Sequence, residues 1–216
     1  MSTPDVSSDT RTRLIEAALD HFGHSGFDGA NVRAIARDAG ANVAAINYHF
    51  GGKQALYRAV AAYIVERIRD AAWPAGAPPR PEMTRVLSKD EARAALHAMI
   101  DRTGRTLLES KQAERWARYI VREQLEPTDA FDILYDGVLG QVYGTVTALV
   151  ARLLDLDPKS SEARLEMFAL MGQPLVFRIG RAAVLRQMGW KDVGSRKADV
   201  ILEQLHRSID RLGRAP

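Results

Sequence analysis

The stretch NVRAIARDAGANVAAINYHFGGKQALYR, Asn31 to Arg58, has the spacing and punctuation of two short helices meeting at a tight corner. Val32, Ile35, Ala36 and Ala39 recur at i, i+3, i+4 and i+7, one helical stripe, and Asn31 stands where an N-cap belongs. Gly40 accepts the left-handed backbone that stops such a helix, Asn42 caps a second one, and Val43, Ile46 and Phe50 are the inward positions of that second helix. A turn of about three residues between them predicts a helix-turn-helix, whose second helix offers its outer face to the major groove of DNA.

That outer face reads Ala44, Ala45, Asn47, Tyr48 and His49, a poor choice for a solvated helix because it lacks Lys, Glu and Arg. It suits a groove. Alanines allow close approach and touch a thymine methyl, an amide bonds a base edge, and a phenol or imidazole reaches phosphate oxygens. Gly51 and Gly52 close the helix, and Lys53 opens the next one, where an ammonium and free backbone N–H groups both favour phosphate. Between residues 31 and 58 four cations, Arg33, Arg37, Lys53 and Arg58, face one anion, Asp38, although residues 1–73 are neutral as a whole. The bland alternative is a helical hairpin in an ordinary α domain.

The run from Val32 to Leu56, with IA at Ile35 and Ala36, AG at Ala39 and Gly40, and HF followed two residues later by GK at His49 to Lys53, resembles the DNA-binding signature of the TetR/AcrR family of bacterial transcription regulators. The resemblance covers about the first 60 residues. The family usually has Tyr where this chain has Asn47, and often Ser where it has Gly52; the first departure falls on the reading face and bears on which operator is read. The resemblance implies a DNA operator as partner, with Arg33, Ala44, Ala45, Asn47, Tyr48, His49 and Lys53 as contacts, and repression in preference to activation.

Across all 216 residues, 46% hydrophobic and 26% charged content is ordinary for a water-soluble globular protein of one or two domains, and the net charge of +3 gives only weak support for nucleic-acid binding. Cysteine is absent, which excludes disulfides, thiol catalysis and cysteine metal sites and fits a reducing cytoplasm. The polar start, MSTPDVSSDT, has no signal-peptide pattern and suits a mobile arm. The least charged stretch, residues 137–151, is too short and polar for a bilayer, which needs about 20 apolar residues, so no membrane partner is expected.

A first helix at 10–24 carries Ile15, Ala18, Leu19 and Phe22 on one face, with Arg11 and Arg13 as candidate phosphate contacts; His21 and His24 are three apart, but a metal site with Asp20 is a weak reading. The helix at 52–72 points Leu56, Val60, Tyr63 and Ile64 inward. The segment WPAGAPPRP, 73–81, has four prolines and a glycine and marks a domain boundary, giving a DNA-binding domain at 9–72 and a second domain at 82–213. Helices follow at about 88–109, 111–124, 127–154, 160–188 and 195–212, without strand signals, with Pro127 and Pro158 at corners and Pro174 expected to kink the fourth. The fold class is all-α: a three-helix DNA-binding domain and a helical bundle for ligand binding and dimerisation.

No P-loop, GxSxG, HExxH or GxGxxG is present, and neither a catalytic constellation, a metal site nor a cofactor is expected. Glu123 and Asp132 lie among apolar residues and suggest partners for an arginine such as Arg122 or Arg178. Trp116, Tyr119, Phe131, Tyr135, Tyr143 and Phe177 place aromatics on helical faces, where the alternatives are a plain core and a pocket for a small-molecule effector. The family resemblance implies an effector pocket in this region, and RE at Arg122 and Glu123, Pro127, and GQPLVF at 172–177 resemble the C-terminal domain of one branch. One recognition helix reads only a few base pairs, so a homodimer is expected. The apolar stripes containing Leu165, Phe168, Leu205 and Ile209 are its candidate interface. The other readings are an architectural DNA-binding protein without effector and a small helical enzyme.

Overall fold

The computed structural model describes residues 6–73, 84 and 86–213. Half of the expected N-terminal arm and most of the Pro-rich boundary lie outside the described residues; the rest of the arm, residues 6–10, is the start of α1 and not a mobile segment. Eleven α-helices and one π turn are seen among the described residues: α1 Val6–Gly29, α2 Val32–Asp38, α3 Val43–Phe50, α4 Lys53–Ala72, α5 Lys89–Glu109, α6 Lys111–Leu125, α7 Asp129–Leu134, the π turn Tyr135–Leu139, α8 Gly140–Leu154, α9 Ser161–Ile179, α10 Arg181–Met188 and α11 Ser195–Arg211.

The chain forms two compact units, each drawn from two separate stretches of sequence. The first joins Met1–Ile68 with Gln112–Val138, and the second joins Arg69–Lys111 with Leu139–Pro216. The helices that carry the helix-turn-helix therefore share a unit with α6, α7 and most of the π turn. The expected stripe of α1 is in place, since Ile15, Ala18, Leu19 and Phe22 are all buried together with Leu14. Polar ties join α6 to α1: Arg115 donates from Nε to Asp20 Oδ1 at 2.5 Å, from Nη2 to the Glu16 carbonyl at 2.6 Å, and from Nη1 to the Glu16 carboxylate. Tyr63 of α4 gives its hydroxyl proton to the same carboxylate and accepts from Gln112 Nε2 at 3.2 Å. Gly26 breaks the helical geometry of α1 at φ 69°, and the Arg122 guanidinium occupies the place a Cβ would take, 2.8 Å from Nη1. A side chain at residue 26 would meet both strain and a clash.

In the second unit α5 packs against α8, α9 and α11. Ser88 and Glu91 form a capping box at the start of α5, each satisfying a backbone N–H of the other. The helical run Asp129–Leu154 is 26 residues, because α7 continues through the π turn, and it is long and apolar enough to cross a membrane. In α8, however, Val142, Thr145 to Ala151 and Leu153 are buried within the protein, the pattern of a core helix. The expected helix 160–188 is broken in two. Pro174 is buried inside a continuous α9, and the 76° bend comes at Gly180 between α9 and α10. A Cβ at Gly180 would approach the Val176 carbonyl to 2.9 Å, so the chain turns where only glycine fits without a shift.

The stripe of α11 corrects the expected interface. Leu205 is 1% exposed and Ile209 0%, buried within the chain itself, with α11 laid on α5. An amphipathic helix has one apolar face, and here that face is already covered.

Tyr63 links fold and pH. Burial, and then the hydrogen bond to the Glu16 carboxylate, push its phenol from 10.0 up to about 12. Folding favours the neutral phenol, so its contribution is full below pH 10.0 and is lost as pH rises through about 12. The urea midpoint should fall over that window, and Tyr63→Phe should make the fall shallower; an unchanged slope in the variant would contradict the assignment.

Candidate nucleic-acid interface

The corner between α2 and α3 is built by three side-chain and backbone devices. Asn31 caps α2, its Oδ1 accepting from the N–H groups of Arg33 at 2.8 Å and Ala34 at 3.3 Å. Gly40 takes a left-handed φ of 63°, which lets the Ala41 N–H return to the Ala36 carbonyl at 2.9 Å. Asn42 then caps α3 through the Ala45 N–H at 2.9 Å. Such caps are each worth about 1 kcal/mol. α3 ends on Gly51 at φ 81°, whose N–H bonds the Asn47 carbonyl at 2.8 Å.

Only part of the expected inward stripe of α3 is inward. Ile46 is fully buried and Phe50 partly so, but Val43, in the first turn, is 37% exposed. A helix of eight residues is held to its neighbours mainly by its middle and last turns. The opposite face carries Ala44 and Asn47, both exposed, Ala45 and His49, half-buried, and Tyr48, which is 82% exposed. The Tyr48 and His49 rings meet edge to face at 5.0 Å. Arg33 is exposed at the start of α2.

The cations around this face divide into two kinds. Arg11 stands exposed with its guanidinium 5.3 Å from the Phe50 ring centre, so α1 places a positive charge beside the end of α3. Arg13 instead ties α1 to the end of α2, donating to the Ala39 carbonyl at 3.1 Å and to Asp9 and Thr10. Lys53 also has a structural task, because its ammonium donates to the Asp28 carbonyl at 3.3 Å and lies 4.9 Å from the Phe27 ring centre. It remains half-buried at the head of α4, where a phosphate can share the charge.

His21 and His24 do not meet on a metal. His21 Nε2 pairs with Asp38 at 2.8 Å, holding α2 against α1, and His24 bonds the Asp20 carbonyl and Arg118, each at 2.8 Å. The His21 and Arg37 hydrogen bonds keep the Asp38 carboxyl below its usual range. No group of metal ligands forms among the described residues.

Nor does Glu123 pair with an arginine. It is fully buried, accepting from Tyr57 Oη and from Thr128 through both its N–H, at 3.1 Å, and its hydroxyl, at 3.0 Å. Asp132 is exposed, Arg178 donates to the Ser110 carbonyl at 3.2 Å, and Arg122 reaches the His24 carbonyl at 3.3 Å. The expected pocket residues fall in both units. Tyr119 lies fully buried in the first, its hydroxyl given to the Tyr57 carbonyl at 2.9 Å. Trp116 is buried there too, with its indole N–H unpaired, while Phe131 and Tyr135 stack at 5.9 Å. Tyr143 and Phe177 belong to the second unit, where Tyr143 meets Phe168 at 5.5 Å.

Comparison with known proteins agrees with this architecture. Residues 14–60 match the family described as bacterial regulatory proteins, tetR family, and residues 92–215 match the C-terminal domain of the HTH-type transcriptional dual regulator CecR. The chain is 33% identical over 204 residues to the HTH-type transcriptional dual regulator CecR of Shigella flexneri, covering 93% of this chain and 89% of that one. It is 39% identical over 71 residues, 33% of this chain and 32% of the other, to the HTH-type transcriptional regulatory protein RaaS of Mycobacterium tuberculosis. Among solved structures, a transcriptional regulator from Rhodococcus sp. Rha1 superposes with a TM-score of 0.60 at 18% identity, over 95% of this chain and 99% of that one, which shows the shared fold. The chain thus belongs to the TetR family of transcription regulators, DNA-binding proteins, and carries within it the CecR type of C-terminal domain.

Proposed function

We propose that the chain binds a palindromic duplex operator as a homodimer, represses transcription from it in the cytoplasm, and is released by a small molecule. The observation that carries the reading is the outer face of α3, which is open to solvent yet free of acidic and basic side chains apart from His49. Asn47 reads bases there, with Ala44 and Ala45 against the groove floor, and Tyr48, His49, Arg33 and Lys53 hold phosphates.

A single α3 reads too few base pairs for specificity, and two must stand about 34 Å apart on one side of the duplex. The surface that brings them together is α9. Leu165 is 67% exposed and Phe168 56%, and Val176 and Ile179 continue the stripe one and two turns beyond Gly172. A helix face this apolar is costly to leave in water and marks an interface. Leu205 and Ile209 contribute only by holding α11 in the core.

For the effector, the Trp116 indole N–H is the supporting observation, since a buried donor without acceptor costs about 1–3 kcal/mol, which an acceptor atom on a ligand recovers. Phe131 and Tyr135 supply a stacked aromatic pair on the same unit, so the effector proposed is an aromatic molecule bearing an acceptor. Tyr119 is closed in the core and is not a ligand contact in this reading. The ligand acts only if it prefers one of two conformations.

On a duplex selected from a random library, Asn47→Ala should relax preference at one or two base pairs by about 1–3 kcal/mol each, and Lys53→Ala should weaken all sequences alike while lowering the salt slope by about one. A changed base preference in Lys53→Ala with the slope intact would reverse the two roles. Sedimentation should find the chain dimeric at micromolar concentration. Leu165→Glu together with Phe168→Glu should make it monomeric and cut operator affinity by about two orders of magnitude or more. A dimer that survives both charges would move the interface elsewhere. Finally, aromatic compounds that raise the melting temperature should lower operator affinity by about 30- to 150-fold, the span of a coupling of two to three kcal/mol. Trp116→Phe, which keeps the ring and removes the donor, should weaken both effects; hits that stabilise without releasing DNA would separate the pocket from the switch.

A further inference from the structure

Tyr57 and Arg58 are neighbours on α4, one turn beyond Lys53, and Thr128 and Asp129 are neighbours at the start of α7. Each of the first two is tied to α6 or α7. Arg58 Nε donates to Asp129 Oδ2 at 2.6 Å on the surface, and beneath it Tyr57 gives its hydroxyl proton to Glu123, fully buried on α6. Glu123 also accepts the Thr128 N–H and hydroxyl, while the Thr128 hydroxyl oxygen accepts the Ala130 N–H at 3.1 Å as the cap of α7. Tyr119, one turn before Glu123, gives its own hydroxyl proton to the Tyr57 carbonyl. The Tyr57 ring is boxed edge-on by Phe22 at 4.7 Å and Phe27 at 5.2 Å, with Tyr119 at 4.9 Å.

No basic side chain lies within ion-pair distance of Glu123 among the described residues, so its carboxylate is held by hydrogen-bond donors alone. An apolar side chain of the same size would fill the space at less desolvation cost. What an acid with three donors adds is a single permitted arrangement of the elements that supply them. Burial first, and then the Glu123 carboxylate, raise the Tyr57 phenol above its ordinary value, so the hydroxyl stays a donor throughout the physiological range.

We infer that Glu123 is a positioning residue for operator recognition: by holding Tyr57 and Thr128 together it fixes α4 against α6 and α7, and so sets the half-site spacing that a pair of recognition helices accepts. The inference rests on the reading of the chain as a dimeric operator-binding protein. α4 follows α3 after only Gly51 and Gly52, so a tilt of its first turns carries α3 with it.

The test uses the full chain and a duplex that it selects from a random library, with copies whose half-sites are moved one base pair closer or farther apart. Tyr57→Phe removes one hydroxyl and keeps the ring packing, and Glu123→Gln keeps the shape and one acceptor oxygen. The wild-type chain should prefer its own spacing by about tenfold or more, and both variants should reduce that preference to about threefold or less while losing affinity mainly at the preferred spacing. A role in stability alone would lower binding equally at every spacing, and that result overturns the inference, as does a wild-type preference retained in both variants. A wild-type chain indifferent to spacing overturns the dimer reading and the inference with it.

Discussion

A carboxylate shut away from water must be surrounded by donors, and the groups that surround Glu123 come from α4 and from the cap of α7. Much of the first unit follows from that requirement. The Tyr57 hydroxyl has to point inward, which puts its ring among Phe22, Phe27 and Tyr119, and Phe22 and Phe27 flank the bend of α1 at Gly26. Arg115 closes the same unit from the other side of α1 through Glu16 and Asp20. The helix-turn-helix is thus set in a frame of polar contacts reaching some 60 to 100 residues along the chain, and not only in its own small core.

Family membership assigns the chain to transcription regulation. Contacts to phosphate from helix N-termini and scattered cations recognise any duplex. Asn47 is different in kind. An exposed amide on the outer face of α3 can bond a base edge with both donor and acceptor, so under the proposed function selectivity between operators would concentrate at that residue and its alanine neighbours.

The local structure was legible in the sequence wherever one residue decides one backbone event. Asn31 and Asn42 cap, Gly40 and Gly51 turn left-handed, and Ile46 is the buried centre of α3, all as their spacing implies. Legibility failed where a pattern has two physical meanings. The stripe of Leu205 and Ile209 has the same periodicity whether its cover is α5 of the same protomer or a second copy, and only the packing distinguishes them. Pro174 reads as a kink in the 160–188 run because a missing N–H is visible in sequence, whereas the crowding at Gly180 against the Val176 carbonyl is not. The pairing of Glu123 with Tyr57 is hidden for another reason: the two lie 66 residues apart, and no periodicity connects them.

The discontinuity of the first unit also governs how the protein is made. A domain built from Met1–Ile68 and Gln112–Val138 has non-local contacts as part of its core, which slows its formation relative to a local three-helix bundle. On a ribosome adding about 5–20 residues per second, several seconds separate the synthesis of α4 from that of α7. During that interval Phe22, Tyr57 and the segment around Gly26 are without the side chains that will cover them. The nascent helix-turn-helix is then an incomplete fold exposing aromatic surface, a form for chaperones to hold and proteases to find until the middle of the chain has emerged.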